Sequence, residues 1–399
     1  MNGIDRVRVG LDFGLGPIPV GQLAARDHRI YFSYEGAFIE QGLELSPFTL
    51  PLKTGVFTFD DTPFDGLPGL FGDSLPDGWG RLLADRFFAS RSLSPTPLDR
   101  LSLVGTNGPG ALTYAPLVQL SDGSTLLDLD DIALHTQAIL QGKPSDVFEE
   151  LLHLNAFAAG ARPKIIINLS ADLNIIEEEG EGEPWLIKFA SNYDTIDCGA
   201  IEYVYSLLAE RAHLPMSQTH LFAGRRGAGY FGTKRFDRIK GERLHMQSAS
   251  ALLSAEYRIP ALDYKDLLTL TLALTHDVRE VERMYRIAVF NVLAYNRDDR
   301  ARNFSFLMDR DGTWSTAPAY DLTFSHGPGG EQSTMVMGEG RNPTTEHLLA
   351  LGQAASIPQP LAKHIIEETK EALSHWRELA SAYGVSTEKI AEIAKQLNR

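Results

Sequence analysis

The stretch Asn296-Arg297-Asp298-Asp299-Arg300-Ala301-Arg302-Asn303, followed by Tyr320-Asp321-Leu322, carries the residues best suited to chemistry. An acid, an amide five positions later and a second acid eighteen positions beyond the amide supply one base and two oxygen ligands for a hard divalent cation. That is the minimum equipment of a kinase-type phosphotransfer site. Asp298 would accept or orient the proton of an attacking hydroxyl, while Asn303 and Asp321 would hold Mg²⁺ against the phosphates of ATP. Asp299 reads as a structural acid that supports its neighbour. Arg300 and Arg302 could stabilise phosphate charge or lie on the surface. The competing reading is a polar turn between a helix and a strand, whose acids only cap backbone groups.

A phosphotransfer site also needs a cation and a loop for the phosphates. In Trp185-Leu186-Ile187-Lys188-Phe189 the period of a strand puts Trp185, Ile187 and Phe189 on one face and Lys188 on the other. Lys188 then either meets the α/β-phosphates or lies along an edge with its stem on the surface. Glu202, on the flank of an apolar helical stripe, could pair with Lys188 and hold it extended, or be a solvated carboxylate. The small-residue turn Ala158-Ala159-Gly160-Ala161 would let backbone N–H groups approach phosphates, but it has one glycine and no Gly-Lys-Ser/Thr ending, and a tight turn explains it equally well. Histidines such as His153, His245 and His276 show no metal-ligand spacing.

The elements that must position these residues can be read from periodicity. Residues 5–13 alternate, with Val7, Val9, Leu11 and Phe13 on one side, and further strands are expected near Ile30–Ser33 and Gly55–Phe59. A helix is expected over Asp77–Phe88, with Asp77 as its N-cap, and a short one follows Pro95 and Pro97 up to the turn Gly105–Gly110. Residues 117–145 are acidic and read as a connection. Ile165–Ile167 read as the edge of a strand hairpin. The rest is mostly helical, around Ile201–Leu208, Leu262–Leu274, Arg279–Tyr295, Pro358–Tyr383 and Glu388–Leu397. Strands followed by a helix-rich half suggest an α+β protein of two lobes with a nucleotide cleft between them.

Composition limits what such a chain can be. With 399 residues and 43% hydrophobic content it can bury two or three cores. Its formal charge of −15 argues against DNA binding through its own field, so a DNA contact would need a partner. Cys198 is the single cysteine, which excludes an internal disulfide and suits a reducing compartment. Met1–Val9 has no signal-peptide core, and the apolar run Leu267–Leu274 is too short to span a bilayer, so a cytoplasmic location and no membrane contact are expected.

Taken together, Gly160-Ala161-Arg162-Pro163-Lys164, Trp185 to Phe189, Arg235-Phe236-Asp237-Arg238, Asn296 to Ser305 and Pro318 to Leu322 resemble the HipA family of serine/threonine kinases, the toxins of type II toxin–antitoxin modules. Gly72 to Gly80 and Gly108 to Leu112 resemble its N-terminal subdomain, so the likeness spans nearly the whole chain. The resemblance implies a protein-kinase-like fold with an N-terminal subdomain at 1–116, an N-lobe-like region at 117–238 and a helical C-lobe at 239–399. It implies Asp298 as the catalytic aspartate, Asn303 and Asp321 as magnesium ligands, and Lys188 as the ATP lysine. Ala159, Gly160, Ala161, Arg162, Pro163 and Lys164 would form the phosphate loop, and Lys234, Arg235 and Phe236 a hinge that meets adenine through backbone groups. The implied substrate is a translation component such as an aminoacyl-tRNA synthetase. The implied partner is a HipB-like helix-turn-helix antitoxin that carries the DNA contacts. A small-molecule kinase and an inactive corepressor scaffold are the alternatives on the same fold. Two positions depart from the family pattern. Arg300 stands where many members have histidine, and Phe157 where some carry a serine whose phosphorylation expels the loop, so that switch is expected to be absent.

Overall fold

The computed structural model describes residues 3–120, 128–154, 160–173, 176–177 and 182–397. The described residues divide into two compact units. One gathers the chain up to Tyr193 with Lys234–Ser254 and Leu307–Thr313; the other comprises Asp194–Thr233, Ala255–Phe306 and the chain from Trp314 onward.

The first unit begins with a five-stranded antiparallel sheet in the order Phe57–Thr58, Arg29–Tyr34, Ile18–Arg26, Arg6–Leu11, Leu112–Ala115. Val7, Val9, Leu11 and Phe13 are all buried, as their alternation requires. The strand Ile18–Arg26 has no counterpart in the periodicity reading, because Pro19, Gly21 and two alanines dilute its β-branched signal. Helix Gly78–Ser90 buries Trp79, Leu83 and Phe87, and helix Pro97–Val104 starts with a capping box in which Thr96 and Asp99 satisfy each other's backbone amides. The acidic segment 117–145 is more than a connection, since helix Leu129–Leu140 lies inside it, with Asp128 accepting the Asp131 amide at 2.8 Å.

A second group of strands follows in this unit. Lys164–Leu169 pairs antiparallel with Glu183–Lys188 on one side and with Ile176–Glu177 on the other. The run expected to be a hairpin edge is therefore an inner strand, which explains its three consecutive isoleucines.

The second unit is mainly helical: Cys198–Arg211, Tyr264–Thr275, Val278–Leu293, Thr345–Ala354, Gln359–Ser374, Trp376–Ala382 and Thr387–Leu397. Val278–Leu293 is strongly amphipathic and buries Met284, Tyr285, Ala288, Val289 and Phe290. The span Pro358–Tyr383 forms two helices that meet at His375, where no glycine or proline signals a break. Trp376 is buried immediately after it, and its indole N–H donates to the Ile390 carbonyl at 3.1 Å, so tertiary burial sets the turn. No helix among the described residues is long and apolar enough to cross a membrane.

Candidate active site

The loop that carries Asp298 and Asp299 starts where helix Val278–Leu293 ends. Tyr205 donates its hydroxyl to the Ala294 carbonyl at 2.7 Å, and Tyr295 takes a left-handed backbone (φ 56°), which turns the chain out of the helix. Asn296 then donates to the Asn291 side chain at 2.9 Å, and Asn291 donates to the Tyr264 hydroxyl at 3.0 Å. Tyr264 in turn donates to Asp299 Oδ2 at 2.7 Å.

Asp299 is the fixed point of the loop. Besides Tyr264 it accepts from Gln332 Nε2 at 2.9 Å, from the Ser333 amide at 2.8 Å and from the Thr334 amide at 3.3 Å. It is only 1% exposed, and burial pushes its carboxyl up to about 7 against the downward pull of these donors. It is a structural acid.

Its neighbour faces the other way. The Asp298 side chain is 44% exposed, and Arg300 Nε lies 2.9 Å from its Oδ1, an ion pair whose N–H does not align into a hydrogen bond. Both line an open cleft of about 390 Å³ with Tyr257, Arg258, Ile259 and His326. Asn303 reaches back to donate its amide to the Asp298 carbonyl at 2.8 Å, which leaves its amide oxygen turned away from that bond. Asn303 and Asp321 line one small cavity, and Asp321 is held there by a left-handed backbone (φ 56°). The structure thus brings Asp298, Arg300, Asn303 and Asp321 together within one unit.

Arg302 belongs neither to the surface nor to an open cleft. It is 7% exposed, and its guanidinium lies 4.2 Å from the centroid of the Tyr257 ring. Arg297, which the sequence did not single out, anchors the loop from below. Its guanidinium lies 4.0 Å from the Tyr295 ring and donates to the Arg341 carbonyl at 2.9 Å and to the Gly330 carbonyl. Glu202 is 2% exposed, which removes the solvated-carboxylate reading.

The candidate phosphate residues lie in the first unit. Trp185, Ile187 and Phe189 are buried while Lys188 faces the other side and is half-exposed, as alternation demands. Lys188 stands directly opposite Lys164 in the antiparallel register, so two ammonium groups share one face of the pair. Lys164 Nζ lies over Gly160, within 2.5 Å of where an added Cβ would sit; the lysine end could move aside, so it is the backbone, at φ 119°, that favours glycine there. The Pro163 carbonyl accepts the Phe189 amide at 2.8 Å, while Arg162 is half-buried and Ala161 exposed. Phe157 and Ala159 lie outside the described residues.

At the expected hinge, Lys234 pairs with Glu183. The Arg235 amide donates to the Pro184 carbonyl at 2.9 Å and its guanidinium to Asp237 at 2.6 Å. Arg235 is thus committed through both backbone and side chain, and Phe236 is half-buried beside it. Asp237 also takes Arg238 at 2.8 Å, and these two cations hold its carboxyl well below the usual range despite burial. Among the described residues no cluster of three or more His, Cys, Asp or Glu side chains could hold a metal by itself.

Residues 156–397 match the HipA-like C-terminal domain, more than half of the chain, and residues 11–115 match the HipA N-terminal domain. The chain belongs to the HipA family. Among solved structures it is similar to the HipA of Shewanella oneidensis MR-1, described in complex with HipB and operator DNA. That likeness has a TM-score of 0.69 at 16% identity, covering 98% of this chain and 95% of the other, and it establishes that the mixed α+β fold is that of HipA. A Helicobacter pylori proinflammatory kinase, CtkA, superposes at a TM-score of 0.34 and 13% identity over 57% of this chain and 97% of its own, too low to carry an argument. No curated protein matches the sequence.

Proposed function

We propose that this HipA-family chain is an ATP- and Mg²⁺-dependent serine/threonine protein kinase and the toxin of a type II toxin–antitoxin module. The observation that carries the reading is the division of labour around Asp298. Its carboxylate faces an open cleft, while Asn303, tied to its backbone carbonyl at 2.8 Å, shares a separate small cavity with Asp321. An acceptor hydroxyl entering the cleft would hand its proton to Asp298 as its oxygen bonds to the γ-phosphorus and the bond from that phosphorus to the ADP oxygen breaks. Two oxygen ligands are few for Ca²⁺ but suit Mg²⁺, which keeps several waters and takes the remainder from phosphates. When bound there, the ion would neutralise phosphate charge. Lys164 and Lys188, opposite each other on one strand pair, are a pair of cations suited to a polyphosphate.

A net charge of −15 suits a chain whose DNA contacts come from a HipB-like helix-turn-helix antitoxin, and an aminoacyl-tRNA synthetase or another translation component is the proposed substrate. The test is induction of wild type and Asp298→Ala in cells, with phosphoproteomics shortly after induction. Growth arrest and a new phosphoserine or phosphothreonine on a translation protein are expected for the wild type only. Equal toxicity, or equal harmlessness, of the two chains would leave the kinase-toxin reading without support and favour an inactive corepressor.

A further inference from the structure

Asp77 sits at the N-cap of helix Gly78–Ser90, yet its side chain caps nothing in that helix. Its Oδ1 accepts the Gly160 amide at 2.5 Å, 83 positions away, and the Trp79 amide, one of the helix's own unpaired N–H groups, donates to the Gly160 carbonyl at 3.2 Å. Gly78 between them has φ 45°, and a Cβ there would lie 2.4 Å from the Gly160 carbonyl oxygen and 2.6 Å from Ala161 Cα. The helix start therefore grips both backbone polar groups of Gly160 at van der Waals range, while Lys164 Nζ fills the other side of that glycine. The same N-terminal region also reaches the hinge. The Gly110 amide donates to Asp237 at 2.8 Å, and Arg238 donates to the Gly110 carbonyl at 2.8 Å and the Gly108 carbonyl at 3.0 Å.

We propose that Asp77 is a positioning residue for the phosphates of ATP, acting through Gly160, so that the HipA N-terminal domain completes the nucleotide site. The proposal rests on the kinase reading for its ligand, but the clasp itself does not. A backbone amide held by a carboxylate keeps the Gly160 peptide in one orientation, and with it the Lys164 ammonium that lies over that glycine. Release of the clasp would let the loop sample other arrangements, and ATP would have to reorder it on binding.

The experiment uses the full-length chain as wild type, Asp77→Ala and Asp77→Asn. Amide hydrogen exchange resolved at Gly160 is measured without nucleotide, and Mg²⁺-ATP affinity, KM and kcat are measured alongside. A charge-assisted hydrogen bond of ordinary strength predicts Gly160 exchange faster by about tenfold or more in Asp77→Ala. KM for ATP should rise by about tenfold while kcat changes by less than about twofold, and Asp77→Asn, which keeps an acceptor oxygen, should recover most of both effects. Unchanged exchange at Gly160 in Asp77→Ala would overturn the clasp. Faster exchange with unchanged ATP affinity, or a fall in kcat together with the unfolding midpoint at unchanged KM, would overturn the positioning role. If wild type binds no Mg²⁺-ATP, the kinase reading fails and takes the phosphate role with it, while the exchange data still judge the clasp.

Discussion

Truncation of Asp299, the acid beside the proposed catalytic base, should damage the fold rather than the chemistry. Its carboxylate receives Tyr264, Gln332 and the amides of Ser333 and Thr334, all at 3.3 Å or less and all buried. Asp299→Ala removes the shared acceptor and strands four donors. Each stranded buried group costs about 1–3 kcal/mol, and partial rehydration of the cavity limits the sum to about 3–5 kcal/mol, a large share of a typical total stability of about 5–15 kcal/mol. Asp299→Asn keeps one oxygen for the two amides but turns an NH₂ toward Tyr264 and Gln332, and should cost about 1–2 kcal/mol. Denaturant unfolding gives these values, and Asp299→Asn should retain phosphotransfer that Asp298→Asn lacks. A loss below about 1 kcal/mol for Asp299→Ala with an unchanged slope, or equal inactivation by the two asparagine variants, would refute the assignment of structural and chemical roles. The pH dependence has a definite sign. Because burial raises this carboxyl from the ordinary value of 3.8 to about 7, the folded state holds a proton that the unfolded state has released between those values. Stability from this group is full below about 4 and falls as pH rises toward 7, by about 4 kcal/mol at 1.36 kcal/mol per unit, and Asp299→Asn should flatten that slope.

Further outcomes follow from other contacts. His245, fully buried with a nitrogen 3.1 Å from the Leu45 carbonyl, is pushed down to about 4, so its contribution is present above about 6.5 and lost as pH falls toward 4; acid unfolding of His245→Gln should show a shallower loss in that window. Lys188→Met should abolish binding of Mg²⁺-ATP in calorimetry, because it removes one of the two ammonium groups that share a face of the strand pair and that the kinase reading assigns to the phosphates. Gly78→Ala forces a side chain into a left-handed position against the Gly160 carbonyl, and thermal unfolding should report a loss of about 1–2 kcal/mol or more. Asp237→Ala leaves Arg235 and Arg238 without their buried counter-charge and the Gly110 amide without its acceptor, and should lower stability by about 3–5 kcal/mol in the same assay.

What the sequence could reveal follows from the range of each signal. The alternation in Trp185–Phe189 and the amphipathic period of Val278–Leu293 are local, and burial follows both. The spacing from Asp298 to Asn303 is local as well, and it ends in a direct hydrogen bond. The partners of Asp299 are not local: Gln332, Ser333 and Thr334 come from more than thirty positions away, and nothing in those residue types announces that they converge on a carboxylate. Asp77 shows the same limit in a sharper form. Its residue type and place before a helical pattern are those of an N-cap, and the backbone does begin a helix there, but the acceptor oxygen is taken by a glycine 83 positions away. Short-range rules assign the position correctly and the bond wrongly, because a side chain at a helix start can face either its own first turn or a neighbouring loop.

The pair Asp298-Asp299 joins fold and chemistry. The two acids are adjacent, so no helix face could serve both, and a turn is needed that sends one carboxylate inward and the other out. Tyr295, with its left-handed backbone, and the Asn296-Asn291-Tyr264 chain of hydrogen bonds set that turn from the helix side. Ser333 and Thr334 hold it from the other: besides their amides on the Asp299 carboxylate, the Thr334 hydroxyl donates to the Asp299 carbonyl at 2.5 Å and the Ser333 hydroxyl to the Arg297 carbonyl at 2.9 Å. With Asp299 fixed at its side chain and carbonyl, Asp298 has little backbone freedom left, and its carbonyl is engaged by Asn303. If Asp298 is the base proposed above, such a loop orients it before substrate arrives, which is where an enzyme that works mainly by positioning needs its rigidity.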